Sequence, residues 1–289
     1  MVGESNKEFD VVVLGSGAAG LTAALAASDS GASVGLYEKS SFLGGTTAMS
    51  GGVIWMPNNH HQLEHEIEDS REMALNYLES LSLGQIDSDM AATFVDRGPE
   101  MLEWVEENTR CSFHIVEGYS DYHPEHPGGM QNGGRSLDNA LFPLTELGEW
   151  AKKIRNDGMR SPVMITETPL GGATTPPSRE VMSARTERNE SGMGLALVAA
   201  LLKGVLDRGI EPQTESRALR LLKDGTRISG VSIKSGDSEK EVIARKGVII
   251  ATGGFEWNPE LVRTFLRGPM TAPVGNPENT GDGLEMAME

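Results

Sequence analysis

The chain has a single cysteine, Cys111, so it forms no disulfide within itself and offers no thiolate set for a metal cluster. A reduced, structural thiol is the expectation. Aromatic residues make up only 5% of the sequence, and no uninterrupted apolar run approaches the length of a bilayer span. Residues 3–8 are polar and lack the charged-then-apolar pattern of a secretory leader, which points to the cytoplasm. Basic residues are also scarce: 25 Lys and Arg stand against 42 Asp and Glu, a formal net charge of −17. Such a surface repels nucleic-acid backbones and anionic membranes, so neither is an expected partner.

Glycine is plentiful. There are 35, within 38% hydrophobic content over 289 residues, which suits a loop-rich α/β protein with a substantial core. No internal repeat is present. One large domain spanning residues 1–289, with a helical and loop insertion at about residues 60–190, is the predicted organisation.

The informative segment is Gly15-Ser16-Gly17-Ala18-Ala19-Gly20. It follows an apolar run at residues 9–14 and leads into an alanine-rich helix at 18–30, while a second strand at 33–37 ends beside Glu38. Strand, turn, helix and acid in this order predict a dinucleotide fold. The first glycine allows the tight turn, the second lets backbone approach a diphosphate, and the third lets helix and strand pack closely. An acid at Glu38 suits an unphosphorylated ribose, hence FAD or NAD rather than NADP.

A second cluster separates the two. Gly44-Gly45-Thr46-Thr47-Ala48-Met49-Ser50-Gly51-Gly52 falls where an NAD domain would run toward its next helix. Small residues and hydroxyls at this density suit backbone wrapped against a large planar ligand, with Thr46, Thr47 and Ser50 as hydrogen-bonding groups; an ordinary flexible loop is the competing reading.

Further along, apolar spacing predicts helices over 62–81 and 87–109. Residues 118–177 read as one long loop, partly helical at 141–154, and residues 191–208 as a buried helix stopped by Gly209. Alternating runs at 218–222, 227–234 and 242–246 predict an antiparallel meander. A last buried strand at 248–254 ends in Ala251-Thr252-Gly253-Gly254.

His60, His61 and His65 lie close together, but Glu64, Glu66, Glu68 and Asp69 around them read as a solvated charged helix surface. No acid or His cluster elsewhere is identifiable as completing a coordination shell, so no metal is expected.

These motifs, together with Asn279-Thr280-Gly281-Asp282-Gly283, resemble the FAD-dependent oxidoreductases of the fumarate reductase and succinate dehydrogenase flavoprotein family, and within it the 3-ketosteroid delta-1-dehydrogenase-like proteins. The resemblance covers essentially the whole chain. It implies a glutathione-reductase-like FAD-binding Rossmann fold with a parallel sheet, an antiparallel β-meander and helical additions. FAD would be held by Gly15, Ser16, Gly17, Ala18, Ala19, Gly20, Glu38, Gly44, Gly45, Thr46, Thr47, Ser50, Gly51, Gly52, Ala251, Thr252, Gly253 and Gly254. The Ala218 backbone amide would read the adenine, and Asp282 would help hold the cofactor. Lys39 would lie beside the ribose acid; a surface lysine is the other reading.

Two segments lean toward the steroid enzymes: residues 50–57, and Tyr119-Ser120-Asp121-Tyr122-His123-Pro124 followed by Gly133-Gly134-Arg135-Ser136. By resemblance Tyr122 assists proton removal in a 1,2-dehydrogenation of a steroid-like ketone. Alternatively it is a loop tyrosine packed on His123 and Pro124. Arg135 reads as a cationic partner or, with a slight preference, a surface arginine. Leu284, Met286 and Ala287 begin a helix just before the sequence stops, whereas the family continues into a substrate cap domain. The resemblance therefore implies an incomplete FAD-binding domain that holds FAD weakly and is inactive alone, with a partner chain as one possible source of the cap. A fumarate reductase-type enzyme acting on a dicarboxylate is the alternative, although no Arg and His cluster to clamp two carboxylates is evident.

Overall fold

The computed structural model describes residues 7–156 and 161–289. Residues 1–6 of the polar start and residues 157–160 of the expected long loop lie outside the described residues.

The elements run β1 (Lys7–Leu14), α1 (Ala18–Asp29), β2 (Val34–Tyr37), α2 (Gly45–Met49), β3 (Ile54–Trp55), α3 (His61–Glu64), α4 (Arg71–Ser82) and α5 (Ser88–Asn108). Next come β4 (Phe113–Ile115), β5 (Ser136–Asn139), β6 (Phe142–Pro143), α6 (Arg179–Glu187), β7 (Glu190–Ser191) and α7 (Met193–Asp207). The last are β8 (Ser216–Asp224), β9 (Arg227–Ser235), β10 (Ser238–Ile250), α8 (Pro259–Phe265) and α9 (Asp282–Met288). The described residues fall into two compact units, one drawn from residues 7–49, 147–156 and 201–289, the other from residues 50–146 and 161–200.

The first unit is built on a five-stranded sheet in the order β2-β1-β10-β9-β8. Val12, Val13 and Leu14 of β1 are buried on both faces, as a central parallel strand requires. β1 pairs in parallel with β2 and with the second half of β10, whereas β10, β9 and β8 pair antiparallel as the predicted meander. The separately predicted strands at 242–246 and 248–254 are one strand, β10, which changes partners from β9 to β1 along its length. Val12, Leu14, Tyr37, Ala218, Val231, Ile233, Val242, Ala244 and Met286 close into one apolar cluster. Each large side chain withdrawn there stabilises the fold by roughly 1.5–3 kcal/mol.

In the second unit β3, β5 and β4 form a small sheet, and α4 and α5 are long amphipathic helices. The single helix predicted over 62–81 is broken. α3 ends after a turn, Glu66 takes a φ of +52°, and Ser70 starts a new helix by accepting a hydrogen bond from Met73 N. α5 opens on Asp87, whose carboxylate accepts from Asp89 N and Met90 N. The predicted long loop contains the strand β5 and several 3-10 turns, the first over Leu144–Lys153 with a kink at Gly148.

Cys111 is buried, and burial pushes its thiol up to about 11, which suits an inert structural thiol. No helix among the described residues is long and apolar enough to cross a membrane.

Candidate functional site

β1 delivers the chain into Gly15, whose φ is +103°; a Cβ there would lie 2.2 Å from the Ala251 carbonyl oxygen. A Cβ on Gly20 would lie 2.0 Å from the Gly15 carbonyl oxygen, so that glycine serves helix-to-strand packing. Gly17 differs. Its φ is −69°, and the protein atom nearest to a Cβ there is Thr47 Oγ1 at 3.4 Å, so packing within the protein does not demand glycine. With Gly15, Ser16, Ala18 and Ala19, Gly17 lines a cleft, and a side chain at Gly17 would occupy space beside the start of α1. α1 begins with no side-chain cap and no acid in its first turn, leaving its positive end for an anion such as a diphosphate.

Glu38, at the end of β2, is buried. Its Oε2 accepts from Ser16 N at 3.1 Å and Ser16 Oγ at 2.6 Å, and its Oε1 accepts from Ser40 N at 2.9 Å. Carboxylate oxygens accept more than one bond each, so Glu38 can fix the turn and still take a ribose hydroxyl in the cleft it lines. The second glycine loop is tied to the same point. Ser16 Oγ accepts from Gly44 N at 3.0 Å, and Thr47 Oγ1 accepts from Ala18 N at 3.2 Å. Thr46 Oγ1 accepts from Asn276 N and from Asn279 Nδ2, both at 3.0 Å, which brings the segment before α9 to the cleft.

On the far wall stands Asp282. Lys39 Nζ donates to it at 3.1 Å and to Thr280 Oγ1 at 2.7 Å, and Arg217 Nε donates to it at 3.0 Å. Burial alone would raise the Asp282 carboxyl, but the Thr280 hydroxyl and the Lys39 and Arg217 cations outweigh it and hold the group below the ordinary carboxylate range. Lys39 is thus an ion-pair partner of Asp282 rather than a free surface lysine.

Gly45, Thr46, Thr47, Ala218, Ala251, Thr252 and Gly253 complete the lining expected from the sequence. Tyr37, Ser216, Asn276 and Glu278 also line the cleft and were not singled out in the sequence, and Asn279, the first residue of the Asn279–Gly283 motif, lines it too. Asn276 was legible in principle, since an Asn before a Pro signals a turn, and its Oδ1 indeed accepts from Glu278 N. Tyr37 carries a buried hydroxyl with no partner, and burial pushes its phenol up to about 12.

A glycine turn on a helix start, an acid at the next strand end and a second glycine loop over both make a cradle for a dinucleotide. A family described as FAD binding domain matches residues 10–289. The chain belongs to that family. FAD is therefore its cofactor, and the cleft, with a cradle at Gly17 that a side chain would fill, fits it.

This FAD binding domain is 38% identical to 4-oxocyclohexanecarboxylate 2-dehydrogenase of Sinomonas cyclohexanicum, over 99% of the chain and 50% of that protein. It is 35% identical to 3-oxosteroid 1-dehydrogenase of Mycobacterium tuberculosis, over 96% of the chain and 53% of that protein. The crystal structure of 3-ketosteroid delta1-dehydrogenase from Sterolibacterium denitrificans, in complex with 1,4-androstadiene-3,17-dione, superposes with a TM-score of 0.83 at 28% identity. That match covers 98% of this chain and 55% of the other. The chain spans about half the length of the curated relatives it matches.

Other expected residues lie elsewhere. Gly20, Gly44 and Gly254 are outside the cleft lining, and Ser50, Gly51 and Gly52 belong to the second unit. There Ser50 O accepts from Gly194 N at 3.0 Å, and a Cβ on Gly52 would lie 2.5 Å from the same nitrogen, so close chain approach accounts for glycine at that position. Tyr122 is also in the second unit. It is 84% exposed and its ring lies 6.4 Å from that of Tyr119, in a recess that includes Val53, Trp55, Tyr77 and Leu81.

Arg135 corrects the reading as a surface arginine. It is fully buried, donating to Asp69 Oδ1 at 2.6 Å and Asp121 Oδ2 at 2.9 Å, with Trp55 and Tyr77 over its guanidinium. The residue is fixed inside the unit, where two carboxylates consume its charge. The histidine reading is corrected in part: Glu64, Glu66 and Glu68 are exposed as expected, but the Asp69 side chain is buried and α5 brings Glu106 to the rings of His60 and His61.

Proposed function

We propose that the protein is an FAD-dependent oxidoreductase that removes hydrogens from adjacent carbons beside a ring ketone, its substrate a 3-oxosteroid or a smaller oxocyclohexane. One observation carries the reading. A cleft lined by the first glycine turn, Glu38 and part of the second glycine loop occurs in a chain that is 38% identical, along 99% of its length, to a protein named for dehydrogenating an oxocyclohexane ring.

Gly15 to Ala19 and the start of α1 hold the diphosphate, Glu38 the ribose, and the Ala218 amide the adenine. Thr46 and Thr47 shape the second loop over the cofactor, and Lys39 and Asp282 brace its wall. FAD, when bound, supplies the hydride acceptor. Tyr122 takes the proton from the carbon next to the ketone, and its recess of Val53, Trp55, Tyr77 and Leu81 suits an apolar ring. A dicarboxylate substrate fits less well. Among the described residues His123 is the only cationic-type side chain lining that recess, and Arg135 is already held by Asp69 and Asp121.

The test is anaerobic mixing of the FAD-loaded protein with 4-oxocyclohexanecarboxylate, a 3-oxosteroid or succinate, following the visible flavin band. Bleaching by a ring ketone and not by succinate is expected, and Tyr122→Phe should slow it by about 100-fold without changing FAD content. Bleaching by succinate alone contradicts the proposal.

A further inference from the structure

His60 and His61 are neighbours in the chain, and their ring centroids are 4.0 Å apart. His60 Nε2 lies 3.0 Å and His61 Nε2 3.1 Å from one oxygen, Oε2 of Glu106, a residue of α5. The three side chains are largely withdrawn from water, at 32%, 16% and 17% exposure. Glu106 is itself oriented, since its Oε1 accepts from Phe113 N at 2.8 Å. His60 Nδ1 is buried without a hydrogen-bond partner, and the Glu103 carboxylate lies 3.8 Å from it.

We propose that His60, His61 and Glu106 form a binding site for a divalent transition-metal ion of the zinc class. Two imidazole nitrogens and a carboxylate oxygen are a donor set that zinc takes, at bonds of about 2.0–2.2 Å. Each imidazole nitrogen lies about 3 Å from the carboxylate oxygen and the ligand atoms all lie within 4.8 Å of one another, so small shifts bring them to the spacing of about 3.4 Å that tetrahedral bonds of this length impose. The imidazoles favour a transition ion over magnesium or calcium, which prefer all-oxygen sites. The outer partners are present as well. Phe113 N fixes the carboxylate, and Glu103 needs only a small shift to accept from His60 Nδ1–H once Nε2 is committed to the ion. Bound there, the ion ties the turn before α3 to α5 and to the start of β4. This site is independent of the flavin reading, and nothing in the cleft takes part in it.

A second group, His123, Glu125 and His126, is more exposed, and its His126 Nδ1 is already engaged by Ser80 Oγ at 2.7 Å. The experiment therefore uses the chain carrying His123→Ala and His126→Ala. Calorimetric titration with Zn2+ should show a single saturable equivalent, and Zn2+ should raise the melting temperature. Adding His61→Gln or Glu106→Gln should abolish both effects while the far-ultraviolet circular dichroism stays unchanged. If Glu106→Gln disturbs the fold, His61→Gln decides the matter. Absence of Zn2+ uptake in the background variant, or uptake that survives His61→Gln, overturns the proposal and leaves a plain histidine–carboxylate ion pair.

Discussion

The Ser16 hydroxyl donates a 2.6 Å hydrogen bond to Glu38 Oε2 while accepting one of 3.0 Å from Gly44 N. One small buried side chain thereby joins the first glycine turn, the acid at the end of β2 and the second glycine loop. Ser16→Ala removes the bond to a charged acceptor and leaves Gly44 N without its partner, for a loss of about 1–3 kcal/mol. The expected outcome is about a ten-fold weaker FAD affinity in a flavin fluorescence titration, with a lowered melting temperature. An unchanged affinity would mean that the two loops are fixed by other contacts.

Arg135, Asp69 and Asp121 form a buried charge triad that also takes in Trp55, whose Nε1 donates to Asp121 Oδ1 at 2.7 Å. Arg135→Met would strand two carboxylates out of water, a destabilisation of about 3–5 kcal/mol. Adding Asp69→Asn and Asp121→Asn should recover part of that loss, because the stranded charges go with the arginine. Urea denaturation of the single and triple variants measures both. A single variant as stable as the parent would contradict the account of this core.

Local features of the fold were legible in the sequence. The turn from Gly15 to Gly20, the ends of α1 and α5 and the meander all rest on signals a few residues apart, such as Asp87 capping α5. What escaped depends on distant partners. Arg135 is buried because Asp69 arrives from 66 residues away, and Glu106 reaches His61 across 45 residues. No periodicity encodes either meeting. The break between α3 and α4 had a local sign, Ser70 as a helix cap, but the apolar spacing on either side of it hid the interruption. In the candidate site the glycines were legible by motif, whereas Tyr37 and Ser216 join the cleft only through the sheet that sets β2 and β8 against it.

Acid should destabilise the protein. The Asp282 carboxyl is held below its ordinary value of 3.8, against burial, by Thr280, Lys39 and Arg217, and that of Asp69 likewise, against burial, by Arg135. A carboxyl with a depressed folded-state pKa adds stability above its unfolded pKa and loses it as pH falls through the folded one. Unfolding free energy should therefore be nearly flat from about pH 7 to 5 and fall below about pH 4. Asp138, which burial pushes upward, acts in the opposite sense and softens the fall. Asp282→Asn should lower stability at neutral pH and flatten the acid limb; denaturation curves at stepped pH check this, and a limb as steep as the parent's would exclude Asp282 as a contributor.

The most direct test of the central claim is FAD affinity in Gly17→Val. The protein leaves room for a side chain at Gly17 apart from contact with Thr47, so the fold should survive, with circular dichroism matching the parent. Affinity for FAD should fall at least about ten-fold, equivalent to about 1.4 kcal/mol, because on the proposed reading the side chain would occupy the place of the diphosphate at the start of α1. Binding as tight as in the parent would show that the cofactor does not lie against this turn, and would contradict the account.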